Sequence, residues 1–106
     1  MSVPFPEVDE EGYLLDLNNW NEALAEQIAK QEGLSLTPAH WEIIHLLRGF
    51  YQQFEVSPAM RPLVKAVTKE LGAEKGKSIY LMQLFPGSPP KLAAKIAGLP
   101  KPANCL

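Results

Sequence analysis

The sequence predicts a mainly α-helical fold: a small orthogonal bundle of four to five helices, with an N-terminal β-hairpin and a mobile C-terminal arm. Three observations lead to this fold class. The chain has 106 residues, of which 46% are apolar, and this length suits one domain, here residues 1–106, that folds without disulfides. Apolar residues recur at helical spacing through most of the chain. Proline after serine or threonine repeatedly marks a helix start, and glycine marks several helix ends.

Residues 3–15 predict a short β-hairpin. Apolar residues lie on both sides of a polar turn, in which Gly12 can supply the positive φ that hairpin turns often need. Pro4 and Pro6 restrict the hairpin to edge pairing, because proline has no N–H to donate to a ladder. Two strands alone are marginally stable, so this ribbon must lie on the helical body.

The helical body is predicted over residues 19–97. Asn19 is the expected cap of the first helix, and Gly33 is expected to end it. Thr37 and Pro38 start the second helix. Its apolar arc is broad, which predicts that it is the central buried helix. That arc contains Trp41, Ile43, Ile44, Leu46, Leu47, Phe50, Tyr51 and Phe54.

Three further helices are predicted. A Ser-Pro pair at Ser57 starts the third. Pro62, in the second turn of that helix, removes a backbone donor and favours an irregular second turn or a later start. Ser78 is expected to cap a short fourth helix. A second Ser-Pro pair at Ser88 starts the last helix, which Gly98 ends.

Residues 98–106 form the predicted C-terminal arm. Pro100 and Pro102 favour an extended, polyproline-like conformation, and Gly98 is expected to act as a hinge at its base. The arm carries Cys105, the single cysteine of the chain. A thiol at this position can enter the active site of another protein, and the prolines reduce the entropy lost on docking. A terminal cysteine without a role remains the alternative at this point.

The net charge of −2 conceals an uneven distribution. Residues 1–55 hold ten carboxylates and two cations, whereas residues 56–106 hold eight cations and two carboxylates. The fold can interleave the two halves, or it can leave a basic surface. Arg61, Lys65 and Lys69 recur every four residues and therefore share one face of the third helix.

This basic face and Lys101 are the predicted partner-binding residues, suited to an acidic protein or an RNA. A helix-turn-helix nucleic-acid-binding module is the alternative. Direct DNA binding is not expected, because the second helix of such a motif would present Tyr80 and Gln83 and no cation.

Metal, cofactor and membrane functions are not expected. One cysteine can form neither an internal disulfide nor a cysteine-based zinc site. His40 and His45 have no third ligand in view, and His40 is predicted to be structural or on the surface. No apolar run could span a bilayer and no signal-peptide pattern is visible, so we expect a cytoplasmic protein.

Several segments resemble the DsrC/TusE family. The sequence KIAGLPKP at residues 95–102, followed by the penultimate cysteine, resembles the C-terminal signature of that family. Similar matches are DEEGY at residues 9–13, LTPAHWE at 36–42 and SPAMR at 57–61. The resemblance covers nearly the whole chain. It implies a compact helical fold with a small N-terminal β-hairpin and a mobile C-terminal arm, and a sulfurtransferase that carries sulfur as a persulfide on Cys105.

Position 94 distinguishes two branches of this family. Members of the DsrC branch have a second cysteine that matches Ala94, and they use the pair with dissimilatory sulfite reductase. The alanine therefore places this chain with the TusE branch. By that resemblance, Cys105 accepts sulfur from a TusBCD-like complex and passes it to an MnmA-type tRNA thiouridylase that makes wobble 2-thiouridine. A DsrC-like accessory protein of sulfite reductase remains an alternative, and the oligomeric state stays open.

Overall fold

The structure is a computed structural model that describes residues 6–102. Five α-helices make up most of this part of the chain. A short 3₁₀ helix, Leu17–Asn19, precedes them. The helices are α1, Glu22–Gln31; α2, Pro38–Phe54; α3, Met60–Leu71; α4, Ser78–Leu84; and α5, Pro89–Ile96. The predicted helical class is therefore confirmed, and so is the upper value of the predicted helix number.

The helix at the centre is α5, around which α1, α2, α3 and α4 all pack. Its residues Ala93, Ala94 and Ile96 have no exposed surface, and the two alanines let neighbouring helices approach closely. The prediction that α2 is the central helix is wrong. Only part of its apolar arc, including Ile44, faces the core, whereas Phe54 is 53% exposed.

The predicted β-hairpin is wrong for the residues that the structure describes. Between Pro6 and the 3₁₀ helix there is no strand, only an isolated antiparallel bridge between Val8 and Leu14. The carboxylate of Asp9 accepts the N–H of Tyr13 at 2.9 Å. Backbone hydrogen bonds from Asp9 to Tyr13 and from Leu15 to Glu7 also cross the turn, but the pairing does not extend into strands. The first three residues of the predicted hairpin lie outside the described residues.

The helix starts follow the local signals with three adjustments. One concerns α4, whose N-cap residue is Lys77 and not the predicted Ser78, which is the first residue of the helix. Asn21 caps α1, and the side-chain oxygen of Asn21 accepts a helix N–H at 2.8 Å. The predicted cap, Asn19, belongs to the preceding 3₁₀ helix. Thr37 caps α2 as predicted. Helix α3 begins at Met60, later than Ser57, in line with the alternative that the proline in its first turn suggested.

Candidate functional site

The base of the C-terminal arm packs against the end of α5 and is hydrogen-bonded to it. The N–H of Leu99, a buried residue, donates to the carbonyl of Ala94 at 2.9 Å. Gly98 adopts a φ of +72° and is buried, and an added Cβ would lie within 2.9 Å of three side-chain atoms of Trp20. Gly98 is therefore a packed helix terminus, and the expectation that it acts as a hinge is wrong.

Trp20 and Arg48 support this helix end from outside. The indole Nε1 of Trp20 donates to the carbonyl of Ile96 at 2.9 Å. The guanidinium of Arg48 lies 3.9 Å from the centroid of the same indole, and its Nη1 donates to the carbonyl of Ala97 at 2.6 Å. Burial lowers the pKa of Arg48, although a guanidinium stays charged near neutral pH. The last carbonyls of α5 thus gain side-chain donors that the helix itself cannot provide.

Two more contacts hold the residues that follow. The hydroxyl of Ser57, which is buried, donates to the carbonyl of Pro100 at 2.6 Å. The Nζ of Lys101 lies 2.9 Å from the carboxylate of Glu11 at the surface. Pro102 is buried again. The arm is therefore anchored to the helical body over 98–102.

Sequence reasoning missed most of this anchor. Ser57 was expected to cap α3, yet its hydroxyl binds the arm, and Trp20 was expected within a helix, yet it precedes α1. The contacts join residues that are far apart in the chain, for which no local pattern exists. Lys101, a predicted partner-binding residue, is engaged in an ion pair with Glu11.

Cys105, the predicted reactive residue, lies outside the described residues. In the sequence it follows Pro102 by three positions.

The predicted basic face is divided by the structure. Lys65 and Lys69 are exposed and line a groove of about 880 Å³ between α2 and α3, whereas Arg61 does not line it. Among residues 6–102, neither lysine forms an ion pair. We call this feature the α2–α3 groove, defined by Leu46, Phe50 and Phe54 on α2 and by Lys65, Ala66 and Lys69 on α3.

His40 has a structural role, in line with its prediction. It is buried near the start of α2, where its Nδ1 accepts the backbone N–H of Thr37 at 3.0 Å. Its Nε2 lies 2.8 Å from the carbonyl of Leu84, so the ring links α2 to the end of α4. Within the described part of the chain, no group of three metal-binding side chains comes together.

The helix-turn-helix alternative finds no support in α4. This helix contains no lysine or arginine, and its exposed side chains include Ile79, Met82 and Gln83. A helix that reads DNA needs cations or polar groups beside the phosphates.

None of the helices described for residues 6–102 is long and apolar enough to cross a membrane.

Comparison with protein families and sequences gives a consistent picture. The family model described as "DsrC like protein" matches residues 5–106. "Sulfurtransferase TusE" of Sodalis glossinidius is 56% identical over 98 residues, which cover 92% of this chain and 91% of that protein. "Sulfurtransferase TusE" of Escherichia coli K12 is 54% identical over 100 residues, which cover 94% and 92%.

Solved structures share the fold. The NMR structure of Allochromatium vinosum DsrC aligns with a TM-score of 0.85 at 54% identity, covering 93% of this chain and 88% of that one. The crystal structure of the oxidized gamma-subunit of the dissimilatory sulfite reductase (DsrC) from Archaeoglobus fulgidus aligns with a TM-score of 0.83 at 40% identity, covering 95% and 92%.

Proposed function

The chain belongs to the DsrC-like protein family, and from this premise we propose that it is a sulfurtransferase that carries sulfur as a persulfide on Cys105. One observation carries the proposal. A chain more than half identical to named sulfurtransferases over nine-tenths of its length contains one thiol. If the chain transfers sulfur through a cysteine, Cys105 is the residue that does so.

The chemistry needs two thiolate exchanges. The Cys105 thiolate attacks the outer sulfur of a donor persulfide; a bond forms to that sulfur, and the donor leaves as a thiolate. A cysteine thiolate of the acceptor then attacks the outer sulfur of the Cys105 persulfide, and Cys105 leaves as a thiolate. No electrons are gained or lost overall, and the rates depend on the pKa values of both thiols and on access. The carrier contributes no metal or separate base.

The anchored arm base supports this role. Trp20 packs against Gly98, the hydroxyl of Ser57 donates to Pro100 and Lys101 pairs with Glu11, so these contacts hold the arm base. Because residues 98–102 are already held in place, docking of a partner does not have to order them. Fewer residues to immobilise means a smaller entropic penalty on docking.

We further propose that the donor is a TusBCD-like complex and that the acceptor is an MnmA-type thiouridylase with bound tRNA, in the cytoplasm. Ala94 favours this pathway over a role with sulfite reductase. It is fully buried in α5 and presents a methyl group, so Cys105 has no second thiol within the chain. The protein then cannot form an intramolecular disulfide, and sulfur can leave only to a partner.

Intact-mass spectrometry tests the proposal. The purified protein is incubated with a sulfur-loaded TusBCD-type complex or, separately, with glutathione persulfide. We expect a gain of one sulfur atom, removed by a reductant, and no gain for Cys105→Ser. Adding an MnmA-type enzyme with tRNA should discharge the sulfur and produce thiolated tRNA. A mass gain that persists in Cys105→Ser, or no gain in the unaltered protein, refutes the carrier role.

A further inference from the structure

The α2–α3 groove is open along two helices that pack on each other. On α2 it extends from Glu42 to Phe54, a rise of about 18 Å, or somewhat over three helical turns. Leu46, Phe50 and Phe54 form an apolar strip along it. Leu46 packs in part against the core, whereas Phe54 is exposed. A groove of this length and character suits one short helix laid along it.

The aromatic end of the groove is the most exposed. Phe54 is 53% exposed, and its ring centroid lies 4.6 Å from that of Phe50. Val56, just beyond α2, is also 53% exposed. Exposed aromatic side chains at the end of a groove are the kind of residue that dominates binding energy at protein interfaces.

The charged groups along the two sides of the groove differ in their pairing. On the α2 side, Glu42 lies 2.7 Å from Lys75 and raises the pKa of that lysine through their hydrogen bond, and His45 lies 3.6 Å from Glu22. On the α3 side, Lys65 and Lys69 are one turn apart and form no ion pair among the described residues.

One carboxylate, Glu70, also lines the α3 side and forms no described ion pair. The two lysines outnumber it, so the unpaired charge on this side is positive. An occupant with carboxylates along one flank is therefore complementary to Lys65 and Lys69.

The aromatic end of the groove is three residues along the chain from the anchor of the arm. Val56 follows its aromatic end, and the next residue, Ser57, binds the carbonyl of Pro100. A protein that receives the arm therefore lies beside this end of the groove.

We propose that the α2–α3 groove binds an amphipathic helix of the protein that exchanges sulfur with Cys105, with the apolar face of that helix on Phe50 and Phe54 and its acidic flank along Lys65 and Lys69. This inference rests on the proposed function and adds the surface that recognises the partner. The apolar strip suits the apolar face of a protein helix. RNA is a poorer occupant, because two lysines and one glutamate supply few phosphate contacts.

Charge reversal provides the first test. In the full chain carrying Cys105→Ser, which prevents covalent transfer, Lys65→Glu with Lys69→Glu and, separately, Phe54→Ser are compared with the parent. Binding to a purified TusBCD-type complex and to an MnmA-type enzyme with tRNA is measured by biolayer interferometry. We expect each variant to weaken binding to at least one of these by about tenfold or more. The control is Lys30→Glu, an exposed cation on α1 outside the groove, with an expected change of less than about twofold.

Loading with glutathione persulfide separates this inference from the carrier role. With Cys105 present, every groove variant should gain sulfur from that small donor at the parent rate. Unchanged binding to both partners in all groove variants, with normal loading, overturns the docking inference and leaves the carrier role intact. Absence of loading in the unaltered chain, which retains Cys105, refutes the carrier role itself.

Photo-crosslinking identifies the occupant. Benzoylphenylalanine placed at Phe54 should crosslink to a partner segment with apolar residues at helical spacing and carboxylates on one flank. The same probe at Ile79, which is 66% exposed on α4, is the control and should not mark that segment. A crosslink from position 54 to tRNA, or to a second copy of this chain, overturns the inference.

Discussion

Replacing Gly98 by alanine tests whether the arm base is a fixed joint. The alanine must adopt a φ of +72°, which raises the free energy of the native state by about 1 kcal/mol or more. Its Cβ would also lie within 2.9 Å of three atoms of Trp20, and overpacking of this kind adds about 1–3 kcal/mol. We expect Gly98→Ala to lower the free energy of unfolding by about 2–4 kcal/mol, a large part of the roughly 5–15 kcal/mol typical of a small domain.

Urea denaturation followed by tryptophan fluorescence measures this change. Gly87→Ala is the matched control, since Gly87 has a φ of +92° and a Cβ added there would meet nothing within 4 Å; we expect it to lower stability by only about 1 kcal/mol. The same Gly98 change in a Trp20→Ala background should have a smaller effect, because the clash partner is gone. If Gly98→Ala is no more destabilising than Gly87→Ala, the arm base is not a packed joint.

Three further groups of substitutions test the remaining contacts. Ser57→Ala should lower the free energy of unfolding by about 0.5–1.5 kcal/mol and speed proteolysis of the arm, since a buried hydrogen bond is lost; unchanged proteolysis would contradict the anchor. Glu11→Ala and Lys101→Ala should each change stability by less than about 1 kcal/mol, because the pair is exposed, and a double-mutant cycle measures their coupling. His40→Ala should lower stability by about 1–3 kcal/mol, as it removes the partner of a carbonyl and of an N–H. His45→Ala, at an exposed position, should change it little, and equal effects of the two histidines would argue against the structural role of His40.

Local signals predicted the helices well because they act within a few residues. Thr37 and Pro38 start α2, and Ser88 starts α5, as the sequence indicates. Such signals concern only the orphan N–H and C=O groups of one helix end. The same signals misplaced the cap of α1 by two residues, because a 3₁₀ turn before it could not be distinguished from the first turn of the helix.

Packing could not be predicted from the same patterns. Helix α2 has the broader apolar arc, yet the other helices pack around α5. The buried alanines of α5 permit close approach of neighbouring helices from several sides. Such small side chains do not stand out in an apolar pattern. The α2–α3 groove exists because the core covers only part of that arc.

The sequence by itself determined the helical class, the family resemblance and the single thiol at Cys105 with Ala94 in place of a second one. These are properties of composition, spacing and covalent order. Only the tertiary structure decided that the arm is anchored through Ser57 and Trp20, and that Lys65 and Lys69, but not Arg61, border the groove. The physical reason is that such contacts join residues distant in the chain, and their geometry depends on how the helices pack together.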